Sequence, residues 1–341
     1  MRATLALFVV LTACRAPSST EDPDVPDAAV ASTPDATPNT THCTATDPRS
    51  QAVEIVATPE AGEQPYVDAL TAATTSIDVM IYEMGYGGIL DTLKAKATAG
   101  VPVRVLFDQS EISVNQKYYD QLAAAGAQVK WSNPKFTYQH AKFFVVDHAV
   151  AVLSTGNFSK QYSIDLERNF VATDRDPADV GDLVNLFAAD WANVDPVMSC
   201  TRMVISPINS RSRILDVINS ATQTLTIESM QFADTQVRAA VAAKVAAGVD
   251  VRVMIADVGF VSANAAAATY LEGLGLDPRQ IPHLHTKVIV ADGAEAYVGS
   301  ENLSQTSLDH NREVGVVVTD SSSIDPLNAT FEKDWAIGTE F

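Results

Sequence analysis

The distribution of apolar positions divides most of the chain into segments with helical periodicity and apolar runs typical of buried strands. The order helix, strand, helix, strand occurs twice. The first copy has predicted helices at 66–74 and 89–99 and predicted strands at 76–82 and 103–107. The second copy has predicted helices at 214–221 and 237–247 and predicted strands at 224–230 and 251–255. Strands that alternate with amphipathic helices indicate an α/β fold with a parallel or mixed sheet.

The two copies match at individual residues, which indicates an internal duplication. Ala99-Gly100-Val101 matches Ala247-Gly248-Val249 at a shift of 148 residues. Near the ends of the copies the shift is 144, and there Phe187, Asp190 and Trp191 match Phe331, Asp334 and Trp335. We therefore expect two α/β/α lobes, at 49–200 and 201–341.

The first residues have the features of an export signal. Met1-Arg2 precedes an apolar run over 3–10, which is too short to span a bilayer. The following Leu11-Thr12-Ala13-Cys14 resembles the lipobox of bacterial lipoproteins. We expect a signal peptide over 1–14 and an exported protein that is anchored to a membrane of the cell envelope by a lipid on Cys14. An ordinary signal peptide cleaved nearby would instead leave the protein secreted.

The segment 15–48 is rich in Pro, Ala, Ser, Thr and Asp and has almost no large apolar side chains. Such a composition cannot bury enough surface to offset the entropy of ordering, so we expect a disordered tether. Cys43 and Cys200 remain as candidates for one disulfide in an oxidising compartment. Two free buried thiols are the alternative.

A candidate catalytic motif occurs once in each copy. The first motif comprises His140-Ala141-Lys142, Asp147 and Ser154-Thr155-Gly156-Asn157, and the second comprises His285-Thr286-Lys287, Asp292 and Gly299-Ser300-Glu301-Asn302. The second reads H-x-K-x4-D-x6-G-S-x-N, and this pattern closely resembles the phospholipase D superfamily. The resemblance implies two pseudo-symmetric lobes with one active site at their interface. It also implies a reaction without metal or cofactor.

Two histidines suit the cleavage of a phosphodiester. One neutral imidazole can attack phosphorus, while one imidazolium protonates the departing oxygen. By resemblance, His140 is the nucleophile and His285 the general acid. Lys142 and Lys287 would stabilise charge on the phosphoryl oxygens. If each H-x-K lies on a strand, its histidine and lysine point into the same cleft.

Other motif residues have predicted supporting roles. Neutral donors to the phosphate oxygens would be Asn157, Asn302, Ser300 and Thr155. We expect Asp147 and Asp292 to be structural and to hold the turns at the strand ends. The alternative for one isolated H-x-K is a half-exposed surface pair, but two copies of the whole pattern favour the catalytic interpretation.

The superfamily often carries an acid downstream of each motif, and here the copies differ. Aligning Arg312 with Arg168 places Asn169 at the position of Glu313, while Glu167 occupies the position of Asn311. This asymmetry predicts unequal roles for the two histidines, because a carboxylate stabilises an imidazolium more than an amide does. The sequence leaves open which histidine each group contacts. A solvated acid paired with its neighbouring arginine is the alternative for Glu167 and Glu313.

The substrate class is suggested by charge. The formal net charge is −19 and no basic run is present, which disfavours a nuclease that would follow a phosphate backbone. A lipid-anchored protein lies beside phospholipid, and Trp131, Phe136, Tyr138 and Phe260 could form an apolar lip for acyl chains or belong to the core. One chain carries both motifs, so a monomer suffices.

The leading hypothesis is therefore a phospholipase D-like hydrolase of phospholipid headgroup esters that acts through a phosphohistidine, with transphosphatidylation possible. The alternatives are an exported metal-independent nuclease and a cardiolipin synthase-like phosphatidyltransferase. A non-catalytic binding module is a third class, disfavoured by the intact histidines and lysines of both motifs.

Overall fold

The computed structural model describes residues 43–198 and 200–341. A seven-stranded sheet forms the first lobe, with strand order β1-β7-β6-β5-β2-β3-β4. Its strands are β1 Glu54–Thr58, β2 Ile77–Ile81, β3 Val103–Phe107, β4 Gln128–Trp131, β5 Phe143–Val146, β6 Val150–Ser154 and β7 Asn169–Asp174. Neighbours within β2-β3-β4 are parallel and the other pairs are antiparallel, so the sheet is mixed.

An eight-stranded sheet forms the second lobe, in the order β15-β11-β10-β9-β12-β13-β14-β8. Its strands are β8 Met203–Ser206, β9 Thr224–Ser229, β10 Asp250–Ile255, β11 Arg279–Gln280, β12 Lys287–Ala291, β13 Glu295–Gly299, β14 Glu313–Val318 and β15 Thr339–Glu340. Apart from the additional β15 at its edge, this order repeats that of the first sheet. The topology therefore reproduces the duplication seen in the sequence.

Helices pack against both faces of each sheet. In the first lobe they are α1 Gln64–Ala72, α2 Gly88–Thr98, α3 Ile112–Ala124 and α4 Pro177–Ala192. In the second lobe they are α5 Ser210–Ser220, α6 Thr235–Ala246, α7 Asn264–Gly273, α8 Gln305–Asp309 and α9 Ser321–Ile337. Helices α1–α3 pack outside the first sheet and α5–α7 outside the second, whereas α4 and α9 contribute to the core between the sheets. The predicted α/β fold with two pseudo-symmetric lobes is confirmed.

The central strands are apolar on both faces because both faces are buried. In β5, Phe143 and Val145 face a core shared by the two lobes, while Phe144 and Val146 face the outer helices. Strand β12 has the same arrangement, because Val288 and Val290 also face the shared core. One continuous apolar cluster thus joins the inner faces of both sheets. In the described part of the chain, no helix combines the length and apolar composition needed to cross a bilayer.

The segment before β1 ties the lobes together. Cys43 and Cys200 form a disulfide with their Cα atoms 5.0 Å apart. Arg49 donates to a carboxylate oxygen of Asp179 at 2.6 Å and to the carbonyl of Val317 in the second lobe at 2.7 Å. Residues 43–48, assigned to the tether from composition, therefore have defined contacts. The predicted signal peptide, Cys14 and the tether over 15–42 lie outside the described residues.

Two buried ion pairs connect the lobes at the duplicated arginines. Arg312 forms two hydrogen bonds with Asp190 of α4, at 2.7 and 3.0 Å. Arg168 forms two with Asp334 of α9, at 2.6 and 3.0 Å. Bidentate arginine–carboxylate pairs fix orientation as well as distance. Each lobe is therefore held by an acid of the other.

We expect Asp190→Ala to lower the free energy of unfolding by about 3–5 kcal/mol, because it leaves the Arg312 guanidinium buried without its counter-ion. Asp195→Ala is the matched control, since Asp195 pairs with Lys135 on the surface and its side chain is 93% exposed. The control should unfold close to the wild type. Chemical denaturation measures both, and equal stability of the two variants would contradict the assignment.

Candidate active site

The two H-x-K segments lie where the lobes meet. The backbone N–H groups of His140 and Ala141 donate to the carbonyl of Arg312, each at 2.8 Å. The N–H of His285 donates to the carbonyl of Arg168 at 3.1 Å. The predicted placement on strands is therefore wrong for His140, Lys142 and His285, which precede β5 and β12. The backbone of His140 and His285 bonds to the other lobe, whereas the carbonyl of Lys142 still accepts from the N–H of Ser154 in its own lobe at 2.8 Å.

Each histidine is oriented by a residue from the opposite lobe. The Nδ1 atom of His140 lies 2.8 Å from Oε2 of Glu313. The Nδ1 atom of His285 lies 3.0 Å from Oδ1 of Asn169. Each lobe thus supplies the partner of the other lobe's histidine across the interface between the lobes, here called the seam. This shows which histidine Glu313 and Asn169 each contact.

The environment of Glu313 keeps it fixed. Its side chain is fully buried, and its second oxygen accepts from the hydroxyl of Ser307 at 2.7 Å and from Nδ2 of Asn311 at 2.9 Å. Although burial raises the pKa of Glu313, His140 and Lys142 hold it below its ordinary value. The alternative of a solvated acid beside Arg312 is therefore wrong for Glu313.

Glu167 has a different position from Glu313. It accepts from the hydroxyl of Ser163 at 2.7 Å and lies 3.8 Å from Nδ1 of His285. Its neighbour Arg168 pairs with Asp334 and Glu60 rather than with Glu167. Glu167 is therefore an outer neighbour of the second histidine and not a surface ion-pair partner.

Both lysines are buried beside the histidines, each 1% exposed. The ammonium of Lys142 donates to the carbonyl of His140 at 2.6 Å. That of Lys287 donates to the carbonyl of Thr155 across the seam at 3.1 Å and lies 3.2 Å from Nδ1 of His285. Two cationic groups therefore lie in one protected region, where an anion would be strongly stabilised.

The electrostatics keep both imidazoles neutral in the empty site. Burial lowers the pKa of His140 to about 4, against the opposing effect of Glu313 and with a contribution from Lys142. Burial, followed by Lys287 and Lys142, holds the pKa of His285 well below its usual value. A neutral His140 that donates from Nδ1 to the Glu313 carboxylate has a free lone pair on Nε2. This is the form a nucleophile needs.

The predicted phosphate donors differ in their surroundings. Thr155 donates its hydroxyl to Asn169 at 2.8 Å, and thereby supports the partner of His285. The hydroxyl oxygen of Ser300 accepts from the N–H of Val314 at 3.0 Å. A direct phosphate contact from Thr155 is thus disfavoured, because its proton is already donated.

The two motif asparagines have unequal contacts. Nδ2 of Asn157 donates to Oε2 of Glu83 at 3.0 Å. The Oδ1 atoms of Asn157 and Asn302 are buried without a hydrogen-bond partner among the described residues. Unsatisfied buried polar atoms beside two histidines suggest a place for a polar ligand.

The motif aspartates hold loops away from the reacting centre. The carboxylate of Asp147 accepts from the backbone N–H groups of residues 74–76, at 2.7–3.1 Å. Asp292 accepts in the same way from residues 222–224, at 2.7–2.8 Å. Each aspartate therefore fastens the chain that enters the neighbouring strand, β2 or β9.

Several site residues were missed by sequence reasoning. Glu83 follows β2, contacts Asn157, and has a pKa raised to about 7 by burial and then by Glu111. The ring of Tyr82 lies 4.7 Å from that of His140. Asp190 and Asp334 were recognised as equivalent positions of the repeat at a shift of 144 residues. A match within the repeat does not show that either residue forms an ion pair.

Of the four aromatic residues considered for an apolar lip or the core, the structure decides the place of Trp131. Trp131 stacks on Tyr119 at 4.7 Å and belongs to the core of the first lobe. The guanidinium of Arg312 lies 4.4 Å from the ring centroid of Phe136. The core alternative therefore holds for Trp131.

Comparison with known proteins agrees with this geometry. Residues 66–191 and 214–335 match the family described as "Cardiolipin synthase, PLD-like domain". The chain therefore belongs to the phospholipase D superfamily, and both motifs lie within the matched residues. The phosphatidylserine synthase of Haemophilus influenzae shares the fold, with a TM-score of 0.69 at 13% identity over 88% of each chain.

Two bacterial relatives show the extent of the likeness. The chain is 25% identical to the probable cardiolipin synthase YwiE of Bacillus subtilis, over 80% of this chain and 64% of the relative. It is 26% identical to the cardiolipin synthase of Clostridium perfringens strain 13, over 74% of this chain and 63% of the relative. The matched part thus spans less than two thirds of the length of these relatives.

We expect Glu313→Gln to reduce kcat by about two to four orders of magnitude, because the amide no longer fixes the Nδ1 proton of His140 or stabilises its positive charge. Glu167→Gln is the matched control and should reduce kcat by less than about tenfold, since Glu167 makes no direct hydrogen bond to a histidine. Steady-state kinetics on variants with wild-type circular dichroism provide the measurement. Equal losses would remove the special role of Glu313.

We expect the imidazole of His140 to remain neutral in the ligand-free protein until the pH approaches about 4. Lys142→Met should raise this pKa, because it removes a nearby positive charge that opposes protonation. Lys117→Met, which changes an exposed lysine, should leave it unchanged. NMR titration of the histidines measures the pKa of His140 in the wild type and both variants. A wild-type midpoint at the ordinary histidine value would contradict this prediction.

Proposed function

We propose that this protein is a phosphatidyltransferase that moves a phosphatidyl group between alcohols through a phosphohistidine. The main support is the pair of hydrogen bonds across the seam: Glu313 of the second lobe bonds to His140, and Asn169 of the first lobe bonds to His285. A histidine backed by a carboxylate is stabilised when it becomes positively charged on attack. This supports His140 as the nucleophile and His285 as the acid and base.

In the first step, Nε2 of His140 attacks the phosphorus of a phospholipid. A nitrogen–phosphorus bond forms and the bond from phosphorus to the headgroup oxygen breaks. His285, protonated in the complex, gives its Nε2 proton to the departing oxygen. The products are a phosphatidyl-His140 and a free alcohol.

In the second step, the neutral His285 accepts a proton from an entering alcohol. The alcohol oxygen attacks phosphorus and the nitrogen–phosphorus bond breaks, which restores His140. A new phosphatidyl ester results. Water in place of the alcohol gives phosphatidic acid, so transfer and hydrolysis differ only in the acceptor.

The substrate itself prepares the general acid. Lys142 and Lys287 oppose protonation of His285 in the empty site. A bound phosphodiester anion offsets these charges, and its negative oxygens favour a nearby imidazolium. His285 can therefore acquire its proton when the anion is present, while the lysines stabilise charge on the phosphoryl oxygens.

Transfer is favoured over the hydrolysis that the sequence alone suggested. The relatives are named cardiolipin synthases, and these names support the phosphatidyltransferase alternative better than a hydrolase. Both histidines are buried, with 9% and 2% exposure for His140 and His285, which limits access of water to the intermediate. Export and a lipid anchor at Cys14 remain part of the proposal, because they would place the active site beside phospholipid.

We expect the purified protein to convert phosphatidylglycerol into cardiolipin and glycerol, with phosphatidic acid as a minor product. His140→Ala should lower the rate by at least about three orders of magnitude, since it removes the nucleophile. Asp309→Ala, outside the reacting centre, should retain activity. Mass spectrometry of the lipid products distinguishes transfer from hydrolysis.

Two results of this assay would overturn the proposal. Phosphatidic acid as the main product would identify a hydrolase. Cleavage of single-stranded DNA without any change in phospholipid would identify a nuclease instead.

A further inference from the structure

Large apolar side chains are exposed on the loops of the first lobe beside the catalytic seam. Tyr86, Tyr162 and Leu166 are 61%, 51% and 51% exposed, and Ile112 at the start of α3 is 42% exposed. We call these four residues the apolar rim. Single exposed apolar side chains are ordinary, whereas a group on adjoining loops indicates an interaction site.

The segments that carry the rim touch one another. The N–H of Lys160 donates to the carbonyl of Tyr86 at 3.2 Å, and the N–H of Leu166 donates to that of Tyr162 at 3.2 Å. The latter two residues belong to or follow a π-helical turn at 160–164. The ring of Tyr86 packs edge-on against Tyr118 of α3, with centroids 5.1 Å apart. The rim residues are therefore carried by adjoining segments of the first lobe.

This surface borders the catalytic centre. Leu166 directly precedes Glu167, whose carboxylate lies 3.8 Å from Nδ1 of His285. The loop that contains Tyr86 also contains Glu83, whose carboxylate accepts a hydrogen bond from Asn157 at 3.0 Å. The rim thus begins within one or a few residues of side chains that contact the site.

The second lobe lacks an equivalent surface. The residues that correspond to Tyr86, Tyr162 and Leu166 by the duplication are Asp234, Thr306 and His310. Asp234 is buried, whereas Thr306 and His310 are exposed but polar. Ile112 corresponds to Val261, which is half-buried before α7. The second lobe also exposes Ile208, Val258 and Ile337, but none of them stands at a position that corresponds to a rim residue.

We propose that the apolar rim inserts into the interfacial layer of a phospholipid bilayer. The diacylglycerol part of the substrate then lies on the first-lobe side of the seam, and the headgroup is directed toward the second lobe. This inference rests on the proposed phosphatidyltransferase function, whose substrate is a membrane lipid.

Access and chemistry favour a bilayer as the occupant. A phosphodiester can reach the buried histidines while its acyl chains stay in apolar surroundings only if the mouth of the site contacts the membrane. Tyrosine suits this position, because its ring is apolar and its hydroxyl remains hydrated at the interface. With a formal net charge of −19, the protein gains little attraction from anionic lipids, so apolar insertion must supply the binding.

The test uses the full chain with Cys14→Ser, so that no attached lipid contributes to binding. In that background the triple variant Tyr86→Ser, Tyr162→Ser and Leu166→Ser should bind phosphatidylcholine vesicles about tenfold or more weakly. The control triple variant Val194→Ser, Val197→Ser and Ile337→Ser changes exposed apolar residues outside the rim, and should bind like the parent. Vesicle co-sedimentation measures both.

Activity on a short-chain phospholipid below its micelle concentration separates this inference from the proposed function. The rim variant should retain that activity while losing turnover on vesicles. Loss of vesicle binding in the rim variant without any phospholipid turnover by the parent would support the rim and refute the transferase. Unchanged vesicle binding by the rim variant, or equal loss in the control, would overturn the rim. Self-association of the parent that the rim variant abolishes, without vesicle binding, would also overturn it.

Discussion

The structure depends on the exchange of partners between two duplicated lobes. Backbone N–H groups of each H-x-K segment donate to the opposite lobe, to the carbonyl of Arg312 or of Arg168. The side chains of these arginines are held in turn by Asp190 and Asp334. Because the catalytic backbone and the ion pairs share the same residues, lobe association and site geometry cannot be separated. Neither lobe alone contains an oriented histidine.

Duplication provided a symmetric framework, and substitutions within it created two different histidines. Glu313 gives His140 a carboxylate that stabilises positive charge, whereas Asn169 gives His285 a neutral acceptor. A reaction through a covalent intermediate needs one group that attacks and another that exchanges protons. In the proposed mechanism, the difference between the Glu313 carboxylate and the Asn169 amide separates these two roles.

The sequence predicted what is encoded by local pattern and by repetition. The α/β class of the two lobes followed from apolar periodicity and from the internal repeat, and strand β3 agrees with its predicted range. Helices α3 and α7 were missed, because the buried positions of each include an asparagine, Asn115 or Asn264, and those of α7 include two alanines, so large apolar residues mark the period poorly. The contacts His140–Glu313 and Asn157–Glu83 join residues 173 and 74 positions apart, and no local pattern specifies such pairs.

The two buried lysines favour an anion in the site. Lys142 and Lys287 are almost fully buried, and their charges oppose protonation of both imidazoles. Such a concentration of positive charge is unfavourable in a low-dielectric region unless anions offset it. Glu313 offsets part of it at His140, but His285 faces an amide. In the proposed transfer reaction the phosphodiester brings further negative charge to this region, so substrate binding also favours protonation of the general acid.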